Sequence, residues 1–187
     1  MRIISGTLKG KSINFIKSIK TRPLKDSVRE SIFNILTHSN LIDINLNKSD
    51  VLDLYSGTGS FGIECVSRGA KKVYYVEKNK DVANILQKNL LNLSIEKNTL
   101  LTINEISKFL NLKLKKKFDI IFLDPPFVQS NFLKELELIK ENRMYKNNHV
   151  VIVHREKNSK EDFSNILETL IVRKYGRSKI IFGKFLT

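Results

Sequence analysis

The sequence predicts an α/β fold, Rossmann-like, with a mostly parallel sheet and helices on both faces. Three observations carry this reading. Short apolar runs alternate with amphipathic stretches along most of the chain, the pattern of a parallel sheet wrapped by helices. Three of those runs carry an acid at or near their carboxyl ends, Asp53, Glu77 and Asp124. Between the first run and the helix after it stands Gly57-Thr-Gly59-Ser-Phe-Gly62, a Gly-x-Gly-x-x-Gly loop. Open α/β sheets bind their ligands outside the carboxyl ends of their strands, so these positions are where a site is expected.

The elements follow in order. Residues 2–16 read as two short strands around a glycine-containing turn. Thr21-Arg22-Pro23 reads as a loop. Ser27-Val-Arg-Glu30 matches a capping box, and Val28, Ile32, Ile35 and Leu36 follow at helical spacing, predicting a helix over 28–37. An Asn-rich connection leads to strand 51–54. A helix over 62–68 ends at Gly69. Next come strand 72–76, helix 81–91, strand 100–103, a helical turn at 106–110 and strand 118–123. The remainder reads as helix 132–139, strand 150–154, helix 163–169 and two closing strands, 170–175 and 179–185. Only a short connection at Gly176 joins the last two, so they must be antiparallel. Lys113 to Lys117 reads as a solvated turn. These runs give a seven-stranded sheet, organised as a substrate-side hairpin and helix (1–40) and a main domain (41–187).

Composition narrows the partners. A chain of 187 residues with 41% hydrophobic content can fill a real core. No apolar run is long enough to span a bilayer, and the first residues carry no signal-peptide core, so a cytoplasmic location without membrane contact is expected. Cys65 is the single cysteine and reads as a small buried hydrophobe. The net charge of +14 favours a polyanion, nucleic acid first. Many lysines fit an AT-rich composition, whereas the N-terminal arginines look placed. A monomer is the plain expectation. The histidines His38, His149 and His154 have no ligand-like spacing, so no metal is expected, and His154 reads as structural.

The glycine loop departs from a dinucleotide fingerprint. There the glycines follow the strand directly, but here Asp53 stands four residues before Gly57. A carboxylate at that place repels pyrophosphate and attracts a cationic amine. S-adenosylmethionine (SAM) carries such an amine beside a sulfonium and has no phosphate. Glu77, at the end of the next strand, is placed for ribose hydroxyls.

Asp124-Pro-Pro-Phe127 ends the most apolar strand. Two prolines remove two backbone donors and fix φ, so the strand stops. A carboxylate, bare carbonyls and an aromatic ring on a stiff turn suit a planar group carrying an NH2, such as a nucleobase.

Together these residues resemble the class I SAM-dependent methyltransferases that act on exocyclic amines. Arg2-Ile-Ile-Ser-Gly-Thr-Leu-Lys-Gly-Lys-Ser-Ile13, Thr21-Arg-Pro23, Val28-Arg-Glu-Ser-Ile-Phe-Asn34, the Leu52–Glu64 block and Arg68-Gly-Ala70 resemble the RsmD family. Matching blocks run from Arg2 to about Phe127. That resemblance implies methylation of the N2 of a guanine in 16S rRNA, guanine 966, either on the RNA or on an assembling small subunit. Carried over by position, Asp53, Tyr55, Ser56, Gly57 and Gly59 would line the methionine end of SAM and Glu77 its ribose. Lys78 and Asn79 would flank the adenine. Relatives hold the adenine amine with an Asp after the third strand; here Asn104 or Glu105 stands in its place. Asp124 and the Pro125 carbonyl would grip the target amine, with Pro126 stiffening the turn and Phe127 stacking on the base. Arg2, Lys9, Lys11, Arg22, Lys25 and Arg29 would meet RNA phosphates.

Rival readings stay open at this level: adenine-N6 methylation of DNA or RNA, a non-catalytic RNA-binding module on the same scaffold, and a dinucleotide-dependent oxidoreductase. The last leaves Asp124-Pro-Pro-Phe127 without a purpose.

Overall fold

The computed structural model describes residues 1–15, 24–112, 114–129 and 131–186. Its centre is a seven-stranded sheet in the order β3-β2-β1-β4-β5-β7-β6. The strands are β1 (Asp50–Leu54), β2 (Lys72–Glu77), β3 (Thr99–Ile103), β4 (Phe118–Leu123), β5 (Tyr145–Glu156), β6 (Leu167–Tyr175) and β7 (Ser178–Phe185). β1 to β5 are parallel, and β7 runs antiparallel between β5 and β6. The order reverses between β1 and β4, which opens a crevice at the carboxyl ends of those two strands.

Helices cover both faces. On one side α1 (Asp26–His38), α2 (Ser60–Ser67) and α3 (Lys80–Leu93) pack with Val51, Val73, Ile120 and Phe122. On the other, α4 (Ile106–Leu110) and α5 (Phe132–Glu141) pack on Leu52, Leu54, Ile121 and Leu123. Alternate residues of β1 and β4 therefore feed opposite cores, which is why both strands are apolar almost throughout.

The structure corrects three expected elements. The N-terminal strands shrink to a single antiparallel bridge, Arg2 with Ser12, flanked by Ile3 N–H to Lys11 O (3.0 Å) and Ile13 N–H to Met1 O (2.8 Å). The pairing is too short for a ladder because α2 captures the hairpin's turn. Glu64 accepts the N–H groups of Ile4 (2.8 Å) and Ser5 (2.9 Å), and the Ser67 carbonyl accepts Thr7 N–H (2.7 Å). Gly6 sits at φ +84° with its Cα so close to this carbonyl that a Cβ would fall 1.9 Å from the Ser67 oxygen.

The capping box at Ser27 does not form. Helix α1 starts two residues earlier, at Asp26, with Lys25 at the N-cap and no side-chain cap, and Ser27 lies inside the first turn. Asp26 supplies the first-turn negative charge instead. The helix expected over 163–169 is one turn only. Ile166 and Leu167 both donate to the Phe163 carbonyl, and from Leu167 the chain joins β6, where Leu167 pairs with Phe185. Phe163, Ile166 and Leu167 are buried in the core, so their spacing reflects a packed turn, and the strand ladder overrides it.

Candidate active site

Asp53 lies within β1, buried to 1% exposure. Its Oδ2 accepts the Gly62 N–H at 3.0 Å, from the first turn of α2. Among the described residues no cation pairs with it. Burial pushes its carboxyl well above the usual range, and the charges of Asp124 and Glu77 push the same way. Gly62 has no room for a side chain, because a Cβ would lie 2.3 Å from the Tyr75 ring.

The chain then turns through Tyr55, a non-glycine at φ +58°, and through Gly57 and Gly59 at φ +55° and +88°. Ser56 N–H donates to the Val76 carbonyl (3.2 Å), and its hydroxyl reaches the same oxygen. Gly57 N–H donates to Glu77 Oε2 (3.0 Å), while Glu77 Oε1 accepts Asn79 N–H (2.8 Å). Glu77 thus shapes the glycine loop and keeps spare lone pairs at the end of β2. The Asn79 side chain caps α3 by accepting from Asp81 and Val82. Lys78 beside it is exposed. Asn89, buried on α3, donates to both the Thr58 and Asn14 carbonyls, joining the glycine loop to the end of the N-terminal hairpin.

After β3 the two alternatives separate. Asn104 N–H donates to the Glu77 carbonyl (3.1 Å), so this half-buried residue stands beside Glu77. Glu105 is exposed and paired with Lys108 at 3.2 Å.

Across the β1–β4 seam, Asp124 N–H donates to the Leu54 carbonyl at 3.4 Å. Asp124 Oδ1 meets His154 Nδ1 at 2.8 Å, and His154 Nε2 meets Ser178 Oγ at 2.9 Å. The Phe127 ring packs edge-on against His154. Arg155, 3% exposed, donates to the carbonyls of Pro125 (3.4 Å), Pro126 (3.1 Å), Phe127 (2.9 Å) and Gln129 (3.3 Å). Its Nε donates to Glu161 at 2.6 Å, and the guanidinium lies over Phe132. At the loop's far end Gln129 donates to the Tyr55 hydroxyl (2.7 Å), which itself donates to Glu135. The proline loop is thereby tied to the glycine loop. Burial pushes both the Tyr55 hydroxyl and the Glu135 carboxyl up.

Arg155, Gln129, Glu135 and Glu161 escaped the sequence reading, and His154 reads there only as structural. A signal was available for two of them: His154-Arg155 puts two polar residues at the carboxyl end of a buried run, Val150–Val153. Gln129, Glu135 and Glu161 carry no local mark.

The expected RNA contacts divide. Arg2, Lys9, Lys11 and Lys25 are exposed, and Arg22 lies outside the described residues. Arg29 is a correction. It is fully buried, donating to the Arg2 carbonyl (2.5 Å) and Asp26 (3.1 Å), with Glu64 at 3.8 Å. Its sequence position suggested a surface arginine, but it lies on the inward face of α1 with Ile32 and Phe33 and anchors the hairpin. Lys116, expected in a solvated turn, instead pairs with Asp50 at 2.9 Å.

A family model described as conserved hypothetical protein 95 matches residues 1–184. The Haemophilus influenzae protein named ribosomal RNA small subunit methyltransferase D is 37% identical over 159 residues, covering 84% of this chain and 79% of that one. The chain belongs to the RsmD family of methyltransferases. The solved structure of Escherichia coli yhhF superposes with a TM-score of 0.85 at 25% identity, over 99% of this chain and 97% of that one. The class I methyltransferase fold extends further: SMU.776, solved in complex with SAH, has a TM-score of 0.62 at 15% identity, over 80% of this chain and 48% of that one. In this chain Asp53 and Asp124 stand at the crevice between β1 and β4.

Proposed function

We propose that this chain methylates the exocyclic N2 of a guanine in 16S rRNA, guanine 966, using SAM. The observation that carries the reading is Asp53, a buried carboxyl without a cationic partner among the described residues, one strand from the carboxyl of Asp124. The first suits the SAM amine and the second the target amine. Glu77 takes the ribose, and Lys78, Asn79 and Asn104 border the adenine.

SAM, when bound, supplies an electrophilic methyl on a sulfonium. Asp124 and the Pro125 carbonyl accept the two N–H bonds of the guanine amine and turn its lone pair toward that methyl. The N–C bond forms as the C–S bond breaks, and the sulfur keeps the electron pair. The cationic product nitrogen then releases its proton. Holding both partners in line contributes much of the acceleration. A paired base cannot enter this crevice, so the guanine is unpaired or flipped, with Phe127 as its stacking partner. Arg2, Lys9 and Lys11 are the candidate phosphate contacts.

The test incubates the protein with methyl-labelled SAM and small-subunit RNA or particles lacking the modification, then maps the label. Label on N2 of one guanine is expected, and label on adenine, or in DNA alone, overturns the substrate. Asp124→Ala should abolish transfer while SAM still binds.

A further inference from the structure

The amine-side loop is held from outside its own motif. Asp124 offers two oxygens, and one of them, Oδ1, is already engaged by His154 Nδ1 at 2.8 Å. A carboxylate only accepts, so Nδ1 carries the hydrogen. The neutral ring is then the Nδ1–H tautomer, with Nε2 accepting from the Ser178 hydroxyl at 2.9 Å. His154 is 7% exposed and packs against the Phe127 ring. The next residue, Arg155, holds four carbonyls, Pro125, Pro126, Phe127 and Gln129, which no regular ladder satisfies. Glu161 anchors that guanidinium from behind.

We infer that His154 and Arg155 are positioning residues that preset the target-amine grip before any ligand arrives. This inference rests on the methyl-transfer reading above. His154 fixes the Asp124 carboxylate and leaves Oδ2 as the oxygen presented to the amine. Arg155 fixes the Pro125 carbonyl and the plane of the turn. An Asp124 freed from His154 rotates about χ1 and χ2 and spends most of its time off the line of attack. The amine is still bound by the surrounding pocket, so the loss falls on turnover rather than on binding. Misplacing a reacting group by about 1 Å costs up to about a hundredfold in rate.

The test compares four variants in single-turnover methyl transfer, alongside SAM affinity, RNA affinity and melting temperature. His154→Leu removes the donor; kcat should fall about tenfold to a hundredfold while KM for RNA and SAM affinity stay within about threefold. His154→Asn keeps an N–H near the Nδ1 position and should recover most of that loss. Ser178→Ala loosens only the tautomer and should cost the least. Arg155→Lys keeps the charge but not the planar fork, so it should lower kcat with SAM affinity unchanged. Equal losses in His154→Asn and His154→Leu, or wild-type turnover in His154→Leu or Arg155→Lys, overturn the inference. A wild-type protein that methylates no RNA overturns the methyl-transfer reading itself, whereas wild-type activity with indifferent variants overturns only this one.

Discussion

The glycine loop after β1 and the proline loop after β4 lie side by side, and they keep their shapes by different means. The first is held mostly through its own backbone groups, which bond within the loop, to β2 and to Asn89 of α3. Ser56 and Gly57 donate to β2, Gly59 N–H returns to the Ser56 carbonyl at 2.8 Å, and positive φ angles make the turn. The second has few backbone bonds of its own, because Pro125 and Pro126 have no N–H to give. Its shape comes from His154 and Arg155, about thirty residues further along the chain. A loop turned by its own glycines and backbone N–H groups carries much of its shape in its own residues. A loop held by distant side chains works only if those residues are also in place.

The electrostatics of the two sides are opposite, which gives the largest expected effects. On the glycine side Asp53 is raised by burial. The folded empty protein binds that proton more tightly than the unfolded chain, so ionised Asp53 costs stability at neutral pH, and the cost fades as pH falls. Asp53→Asn should therefore raise the melting temperature of the empty protein at neutral pH, with the gain shrinking in acid. The same change should weaken SAM by about 2–5 kcal/mol, the usual loss when one partner of a buried charge pair is removed. Wild-type affinity should also fall as pH drops through the raised titration of Asp53, with proton release measurable by calorimetry in buffers of different ionisation enthalpy. SAM binding by Asp53→Asn at near wild-type strength would remove the basis for placing the donor amine there.

The proline side responds the other way. Burial raises Glu161, but neighbouring hydrogen-bond donors and the charge of Arg155, whose Nε lies 2.6 Å away, outweigh it and leave the carboxyl below its ordinary 4.5. A lowered carboxyl gives stability that is present above its ordinary value and is lost as pH falls through the folded value. Glu161→Gln should thus lower stability at neutral pH by about 1.5–3 kcal/mol, the range for a charged hydrogen bond. Its unfolding curve should converge on the wild type below pH 4.5. Parallel curves at every pH would mean that the charge of Glu161 is not what holds Arg155.

This difference also explains what the sequence disclosed. Asp53, Gly57, Gly59 and Glu77 stand at fixed offsets from strand ends, and local rules give those offsets their meaning. Asp124-Pro-Pro-Phe127 announced a stiff turn and a carboxylate, but not what aims them, because His154 and Arg155 act through space. The same limit hid Arg29. Its burial depends on Glu64 and the Arg2 carbonyl, brought to it by the hairpin's docking on α2, and nothing in residues 26–33 records that docking. The expected helix over 163–169 failed for a related reason, since Phe163 and Ile166 have helical spacing while the partner strand that claims Leu167 lies eighteen residues on. The seven-stranded, mostly parallel sheet and the core of β1 and β4 were legible because buried parallel strands are apolar throughout.

The smallest effects separate the two roles a glycine can have in the first loop. At Gly59 a Cβ would fall 2.3 Å from Leu86 Cδ1, at φ +88°. Gly59→Ala therefore combines backbone strain with a clash in the core and should cost about 1–3 kcal/mol of stability. At Gly57 the nearest atom to an added Cβ is the Tyr55 carbonyl oxygen at 4.0 Å, so only the φ of +55° is penalised. Gly57→Ala should cost about 1 kcal/mol in melting. Its effect on SAM is the informative measurement. If the backbone at Gly57 comes into contact with the ligand, affinity must fall by more than the stability loss, because the methyl projects into space that the protein leaves open. If affinity follows stability alone, Gly57 is there to make the turn, and the donor's methionine end rests on Asp53 and Gly59 instead.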